Sequence, residues 1–399
     1  MKSGSKSGDL QSQLRSTRPV HDALPVASKN PRLAGIQVEI VETVEGIESL
    51  ESSWRAMTSE TAAPFQTFSW NLAWYRHFHA KYDHPLALVA SRAGEVIAIL
   101  PAYQKGPRIR LAGDISGDYQ DIIAATEEEA FDSLGAIFEV VARDFPSCHF
   151  FFQKVSSEGS LSRFFLKDMA RMKGSLVFRK KLAPCPHVSI RGGLETYLQS
   201  LPSKHRQDMR RALKRLDREM PTSRVEILRN LEIRVIDLQN IADFHQDHFR
   251  KDGFSPLKDS ALTGLLGEVS KDPDVGLQVA ALIDEGEMIA MDIGFARGGH
   301  YYGYLTGFDS AYEKWAPGKC LLLKRIDRWV EDDGVEVLDF LSGGESYKAR
   351  FTLGEAYCVD SIHWMPDRIR SRAKQASLVA GNFGKQLAKT ALSKVMLSR

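Results

Sequence analysis

Cysteine is scarce and scattered in this chain. Cys148, Cys185, Cys320 and Cys358 are the only four in 399 residues, and no two form a CxxC pair. That spacing argues against a disulfide framework or a zinc ribbon and leads us to expect a reducing, cytoplasmic setting with no metal. No apolar run approaches the roughly 20 residues of a membrane-spanning helix. The opening MKSGSKSGDLQSQLRSTRP has no apolar stretch, so no secretory signal is expected there. Charge of one sign is also lacking: 53 Lys and Arg face 51 Asp and Glu, a net of +2. Such a balance gives no reason to expect a nucleic-acid partner, and any electrostatic argument must be local.

What is present suffices for packed cores, with 43% hydrophobic residues. The length predicts two domains. Residues 1–35 are rich in Ser, Gly, Lys, Arg and Pro and read as a disordered basic tail. Folded sequence begins at IQVEIVE, a strand pattern. Helical spacing follows in Leu50, Trp54 and Met57, then in Trp70, Trp74 and Phe78, with Thr67 or Ser69 as a cap. A hairpin is expected where LALVAS and VIAILPAYQ flank Arg92–Glu95. The loop Asp114–Asp121, a helix over 127–144 and the strand CHFFFQKV complete a first unit, 36–190. A second unit, 191–365, opens with the helix SKHRQDMRRALKRLDREM. It continues with RVEILR, a helix over 236–251, three antiparallel strands within 277–309, a helix to about 333 and VEVLDFL. The two units share a strand, a Gly-Glu turn and a strand, which suggests duplication.

The most specific local feature is Trp315-Ala316-Pro317-Gly318-Lys319-Cys320, opening the helix LLLKRIDRWVED. Proline suits a first helical turn because its missing N–H has no partner there anyway. Glycine permits close approach of a ligand to backbone. Free amides at a helix start hold an anion such as a pyrophosphate, and Lys319 adds charge. The alternative is an ordinary Pro-Gly turn. The helix at 127 begins Glu127-Glu128-Glu129, where carboxylates repel phosphate, so one anion site is expected, in the second unit.

Three antiparallel strands, a helix with an anion-binding start and a further strand follow the order of the GNAT acetyltransferase core. The stretch GYLTGFDSAYEKWAPGKCLL…VLDFLSGGESYKARF resembles the bacterial cellulose-biosynthesis acetyltransferase family of the GNAT superfamily. PFQTFSWNLAWYRHF, GDYQDII and SKHRQDMRRALKRL extend that resemblance over roughly 40–365. The pair Arg350-Phe351 departs from the family pattern. The resemblance implies an α+β fold of two tandem GNAT-like halves sharing one cleft, architecturally related to Fem-type peptidyltransferases. It implies acetyl-CoA as donor, held by Ala316–Cys320, and a first half that shapes the acceptor side without a CoA site of its own. Acetyl transfer to a hydroxyl or amine of an exopolysaccharide or cell-envelope precursor is the implied activity. Aminoacyl transfer of the Fem kind and a non-catalytic scaffold in a polysaccharide synthase complex are the alternatives.

Acyl transfer needs a base for the nucleophile and an acid for the leaving thiolate. Asp339, alternating with Val335 and Val337 on a predicted strand, is the first candidate base and Asp292 in MDIGF the second. Either carboxylate also reads as a structural group satisfied by backbone amides. Tyr304, sharing a strand face with Tyr302, is the candidate acid, against a plain aromatic core face. Asp118, Tyr119, Asp121 and Lys348 are candidates for acceptor binding. Arg206, Arg210, Lys214 and Arg218 stripe one helix, as a solvated face or a phosphate contact. Residues 366–399 carry eight Lys and Arg over 367–399 against the single acid Asp367, with an apolar stripe, and are expected to be a basic amphipathic tail that docks on the inner membrane or on a partner.

Overall fold

The computed structural model describes residues 24–25, 31–145, 147–167, 175–248, 255–345 and 347–366. The 1–35 tail is largely outside them, and the basic stretch after Pro366 lies wholly outside. No helix among the described residues is long and apolar enough to cross a membrane.

The alternating patterns fold as strands and join into one 14-stranded mixed sheet. Its first-half strands are β1 (Leu24–Pro25), β2 (Ile36–Val41), β3 (His84–Arg92), β4 (Glu95–Lys105), β5 (Arg108–Leu111), β6 (Ile123–Ala124), β7 (His149–Ser156) and β8 (Ser175–Ser189). The second half contributes β9 (Arg224–Arg229), β10 (Leu277–Asp284), β11 (Glu287–Arg297), β12 (His300–Phe308), β13 (Val337–Asp339) and β14 (Ala356–Pro366). The expected hairpin is β3–β4, and the three antiparallel strands are β10, β11 and β12.

The two halves are interwoven. Strand order runs β7-β14-β8-β13, so the chain's last described strand returns to close the first half's sheet. The boundary expected at 190 falls at the end of β8, yet β14, expected within the second unit, pairs with β7 and β8. Long β8 pairs with β14 along most of its length and with β13 through His187–Ser189.

The helices are α1 (Val44–Glu48), α2 (Glu51–Met57), α3 (Phe68–His77), α4 (Glu127–Asp144), α5 (Ser160–Lys167), α6 (Gly193–Ser200), α7 (Ser203–Glu219), α8 (Val235–His248), α9 (Ser260–Val269), α10 (Pro317–Asp332) and α11 (Lys348–Phe351). Of the two candidate caps, Thr67 is the one used: its hydroxyl accepts from the Trp70 amide and satisfies an orphan donor of α3. The helix expected around Leu50, Trp54 and Met57 is broken into α1 and α2 at Ser49-Leu50. Apolar faces sort the helices into layers. One core unites both halves, with Trp70, Trp74 and Tyr75 of α3 and Leu262, Leu265 and Leu266 of α9 lying between sheet residues such as Val89 and Ile99 and others such as Val279 and Ile293. A second core lies under α4 and α5, with Leu134, Ile137 and Phe165. A third holds Leu323, Ile326 and Trp329 of α10 against Tyr301 and Leu338.

Candidate functional site

Strands β12 and β13 run parallel for three residue pairs, ending at Tyr302 opposite Asp339, and then part. Just beyond, β12 carries a bulge. Ile293 faces Leu305 and Gly294 faces Gly303, leaving Tyr304 as the extra residue. A bulge bends its strand, so β12 turns away from β13 while its pairing with β11 resumes and runs to Phe308. At this gap lies a cleft of about 1270 Å³, lined by β12 from Gly303 to Phe308, the start of α10, the loop after β13, and Ile115–Asp118 and Lys154 of the first half. Its apolar lining comes from two cores: Tyr304, Leu305 and Leu262 belong with the shared core, Tyr301, Leu338 and Phe340 with the α10 core. The cleft therefore lies in the gap of the sheet, between the two cores.

At one end stands the start of α10. Ala316 adopts a left-handed conformation (φ 50°, ψ 55°) and supplies no side-chain cap. Pro317 lacks an amide hydrogen, and the amides of Gly318 and Lys319 have no hydrogen-bond partner among the described residues. Ala316, Pro317, Gly318 and Lys319 line the cleft. Cys320 does not: its amide donates to Ala316 O at 3.0 Å, and its side chain is buried in a core beside Leu321. The expected cradle is thus corrected to two free amides, because Cys320 already closes the first helical bond. The Lys319 ammonium contacts Asp208 of α7 at 2.5 Å and is only partly available. Nearby, Arg350 lines the cleft with a guanidinium that makes no hydrogen bond or ion pair among the described residues, though its charge acts on Asp208. The α7 stripe is mainly solvated: Arg206 donates to Gln199 O, and Arg210 and Arg218 pair with Glu195 and Glu219.

The cleft floor is a joint product of both halves. Asp118 accepts from the Ser342 hydroxyl at 2.7 Å and amide at 3.0 Å, and pairs with Lys154 at 3.3 Å. Lys348, 5% exposed, donates to Ser342 O at 3.2 Å and pairs with Glu345 at 2.9 Å. Tyr304 donates to Ser116 O at 2.6 Å, and burial raises its phenol pKa, so it keeps its proton through neutral pH. Non-glycine residues with φ above zero gather here: Tyr119 (55°), Lys154 (56°), Ala316 (50°) and Leu341 (54°). Such strain persists where surrounding contacts over-determine the backbone, and it clusters at functional sites.

Three expected site residues occupy other positions. Asp339 is 1% exposed and lies beneath the floor, outside the cleft lining. It accepts from the Tyr119 hydroxyl and the Leu341 amide, both at 2.7 Å. Burial pushes its carboxyl up to about 7, against the pull of those two donors. Tyr119 is likewise turned from the cleft toward Asp339. Asp121 is a helix cap: it accepts from the Ser160 and Leu161 amides at the start of α5, both at 2.7 Å, and from its neighbour Ile122. These three bonds leave it no part in the cleft, and burial sets its carboxyl at about 6. Asp292 does line the cleft, but its carboxylate is held by buried Arg325 and by the Tyr301 hydroxyl. Ser342, Lys154 and Arg350 were not anticipated. Ser342 stands inside the Asp339–Lys348 stretch that carries the resemblance, and Arg350 is the departing residue of its last pair. Lys154 leaves no signal in a strand sequence.

The fold has known counterparts. Residues 203–349 match the acetyltransferase (GNAT) domain family. No curated protein sequence matches the chain. Among solved structures, FemX superposes with a TM-score of 0.54 at 11% identity, covering 81% of this chain and 96% of that one. The C-terminal domain (DUF2156) of a putative lysylphosphatidylglycerol synthetase from Agrobacterium fabrum gives 0.52 at 15% identity, over 84% and 97%. A conserved protein of unknown function from Bacteroides thetaiotaomicron gives 0.52 at 12% identity, over 81% and 97%. At these identities the likeness concerns the fold. The chain is α+β, and the GNAT-like domain at 203–349 lies within its second half. Among the described residues no three His, Cys, Asp or Glu converge as a metal set.

Proposed function

We propose that this protein transfers an acyl group from an acyl-CoA to a hydroxyl or amine acceptor. The observation that carries the reading is the conjunction, in one cleft, of a gap through the sheet and two unpartnered amides at the start of α10. A polyanion with an extended arm fits both features. The amides of Gly318 and Lys319 would hold its phosphates, with Arg350 adding charge. The β12 edge beyond Gly303, unpaired on the β13 side, would receive its amide-bearing arm. When bound, that molecule supplies the activated thioester.

The chain's own residues do the rest. Asp118, fixed by Ser342 and Lys154 on the floor, takes the acceptor's proton; it replaces Asp339 as the base because it faces the cleft. Tyr304 keeps its proton and stands at the bulge, suited to give it to a departing sulfur. Asp339 acts at one remove, as a positioning residue that holds Tyr119 and the left-handed Leu341 in place. Acetyl as the acyl group, and a saccharide or cell-envelope precursor as the acceptor, are taken from the family resemblance and belong to the proposal.

Calorimetric titration with acetyl-CoA tests the first step. Thiol release in the presence of hydroxyl and amine acceptors tests the second. Absence of binding by both acetyl-CoA and CoA, in folded protein, would overturn the reading and favour aminoacyl transfer or a scaffold role.

A further inference from the structure

The cleft exceeds the roughly 300–1000 Å³ usual for a small-molecule site, so what fills its second arm becomes a question. On the face opposite α10, the lining is carbon-rich: Phe78 after α3, Ile115, Pro256, Leu262 of α9 and Leu305 of β12. Phe78 and Leu262 belong to the shared core, and Leu305 packs against it, so this wall is firmly backed. Ile115 is 44% exposed, an unusual state for an isoleucine lining a cleft. The charges beside the wall, Lys81 and Asp259, pair with each other at 3.5 Å and leave no net charge to attract an ion. An acetyl group occupies almost none of this surface.

We infer that this arm holds an aliphatic chain of six or more carbons, carried by one of the two substrates. The inference rests on the acyl-transfer reading and sharpens it: the donor is a medium- or long-chain acyl-CoA, or the acceptor is an alkyl-bearing molecule. Each methylene moved from water to an apolar wall raises affinity about fourfold, so even three buried methylenes give a gain of more than tenfold.

Two titration series separate the sources. In the first, CoA, acetyl-CoA and octanoyl-CoA are titrated into the full-length protein. In the second, methyl and octyl β-glucoside are titrated below their micellar concentrations into protein saturated with CoA. A tenfold or greater gain for octanoyl-CoA over acetyl-CoA places the chain on the donor. The same gain for the octyl over the methyl glucoside places it on the acceptor. Ile115→Asp, at an exposed position that tolerates a polar group, should erase whichever gain is found and leave CoA binding unchanged. Flat series in both titrations, or a gain that survives Ile115→Asp, would overturn the inference. If CoA itself does not bind, the acyl-transfer reading fails first, and the two failures are told apart.

Discussion

The two halves repeat one plan and differ at the same two points. In each, an antiparallel hairpin leads through a helix to a strand that pairs in parallel over a few residues and then parts: β5 with β7, and β12 with β13. In the second half the gap stays open as the cleft. In the first it is filled by the chain's own segment 114–121, where Gln120 bridges Val155 and exchanges hydrogen bonds with Lys154 and Ser156. The helix starts differ in the same sense. Thr126 caps α4 by accepting from the Glu129 amide, and Glu127–Glu129 already supply negative charge there. Nothing caps α10. A helix start satisfied from within has no use for an anion; one left bare has. The plug in the first half is also the loop that delivers Asp118 and Tyr119 to the second. Closing one site thus helps to build the other.

The sharpest test of that division removes the plug's contribution to the cleft. Asp118→Asn should lower turnover by about 10²–10⁴-fold, the usual worth of a general base. It should leave acyl-CoA affinity within about threefold, because no donor-holding group is touched. Normal turnover in the variant would return the search for a base to the second half.

Next in size is the bare helix start. Gly318→Asp should weaken acyl-CoA binding by about 100-fold, through a carboxylate placed among the free amides. The fold should survive, because a Cβ at this position meets only the Phe308 side chain at 3.6 Å, an ordinary contact. An acid in the first turn even favours the helix by about 0.3–1 kcal/mol. The matching change in the first half, Thr126→Ala, should cost about 1 kcal/mol of stability and no affinity. Calorimetry with thermal melts reads both. Equal loss of binding from the two variants would break the comparison.

Arg350→Ala should cost about three- to tenfold in acyl-CoA affinity, an effect that shrinks as salt rises, since Arg350 is exposed at the mouth. Titrations at low and high ionic strength check it. A loss independent of salt would mean that Arg350 acts by packing.

Much of the fold was legible because its signals are local. The β3–β4 hairpin, α3 with its threonine cap and the Pro-Gly start of α10 all rest on neighbours in sequence. Strand β14 and the sharing of β8 between halves were not legible, because pairing with β7 is set by contacts more than 200 residues apart in the chain. The site divides the same way. Residues 316–319 and Lys348 were named in advance and line the cleft. Asp339 and Asp121 are singled out by the sequence as a candidate base and an acceptor contact, but which side of the floor a carboxylate faces depends on partners distant in sequence. Tyr119 and the start of α5 turn both of them away. Polar residues in a loop announce that they will be used; their spacing does not say whether a ligand or a backbone amide will use them.

The finest comparison sets two buried carboxyls with raised pKa values, Asp339 and Asp121, one from each half, against pH. Asp339 titrates near 7 in the native state and near 3.8 when solvated. The native chain therefore binds the extra proton between these values. The stability this confers is fully present below pH 4 and is lost as pH rises through 7. Asp339→Asn lacks the titration, so its stability relative to the unsubstituted protein should improve between pH 5 and pH 8, by about 3 kcal/mol. Asp121, near 6, follows the same sign but completes its loss earlier. Asp121→Asn should thus show a smaller relative gain, most of it reached by pH 7. It should also carry a pH-independent penalty, since an amide oxygen replaces a carboxylate that caps three N–H groups. Urea unfolding of the three proteins at pH 5, 6, 7 and 8 resolves these terms, and comparing differences cancels the titration of every other group. A constant offset for Asp339→Asn across that range would mean that the carboxylate is ionised throughout. The floor of the cleft would then hold a permanent negative charge within reach of Lys348.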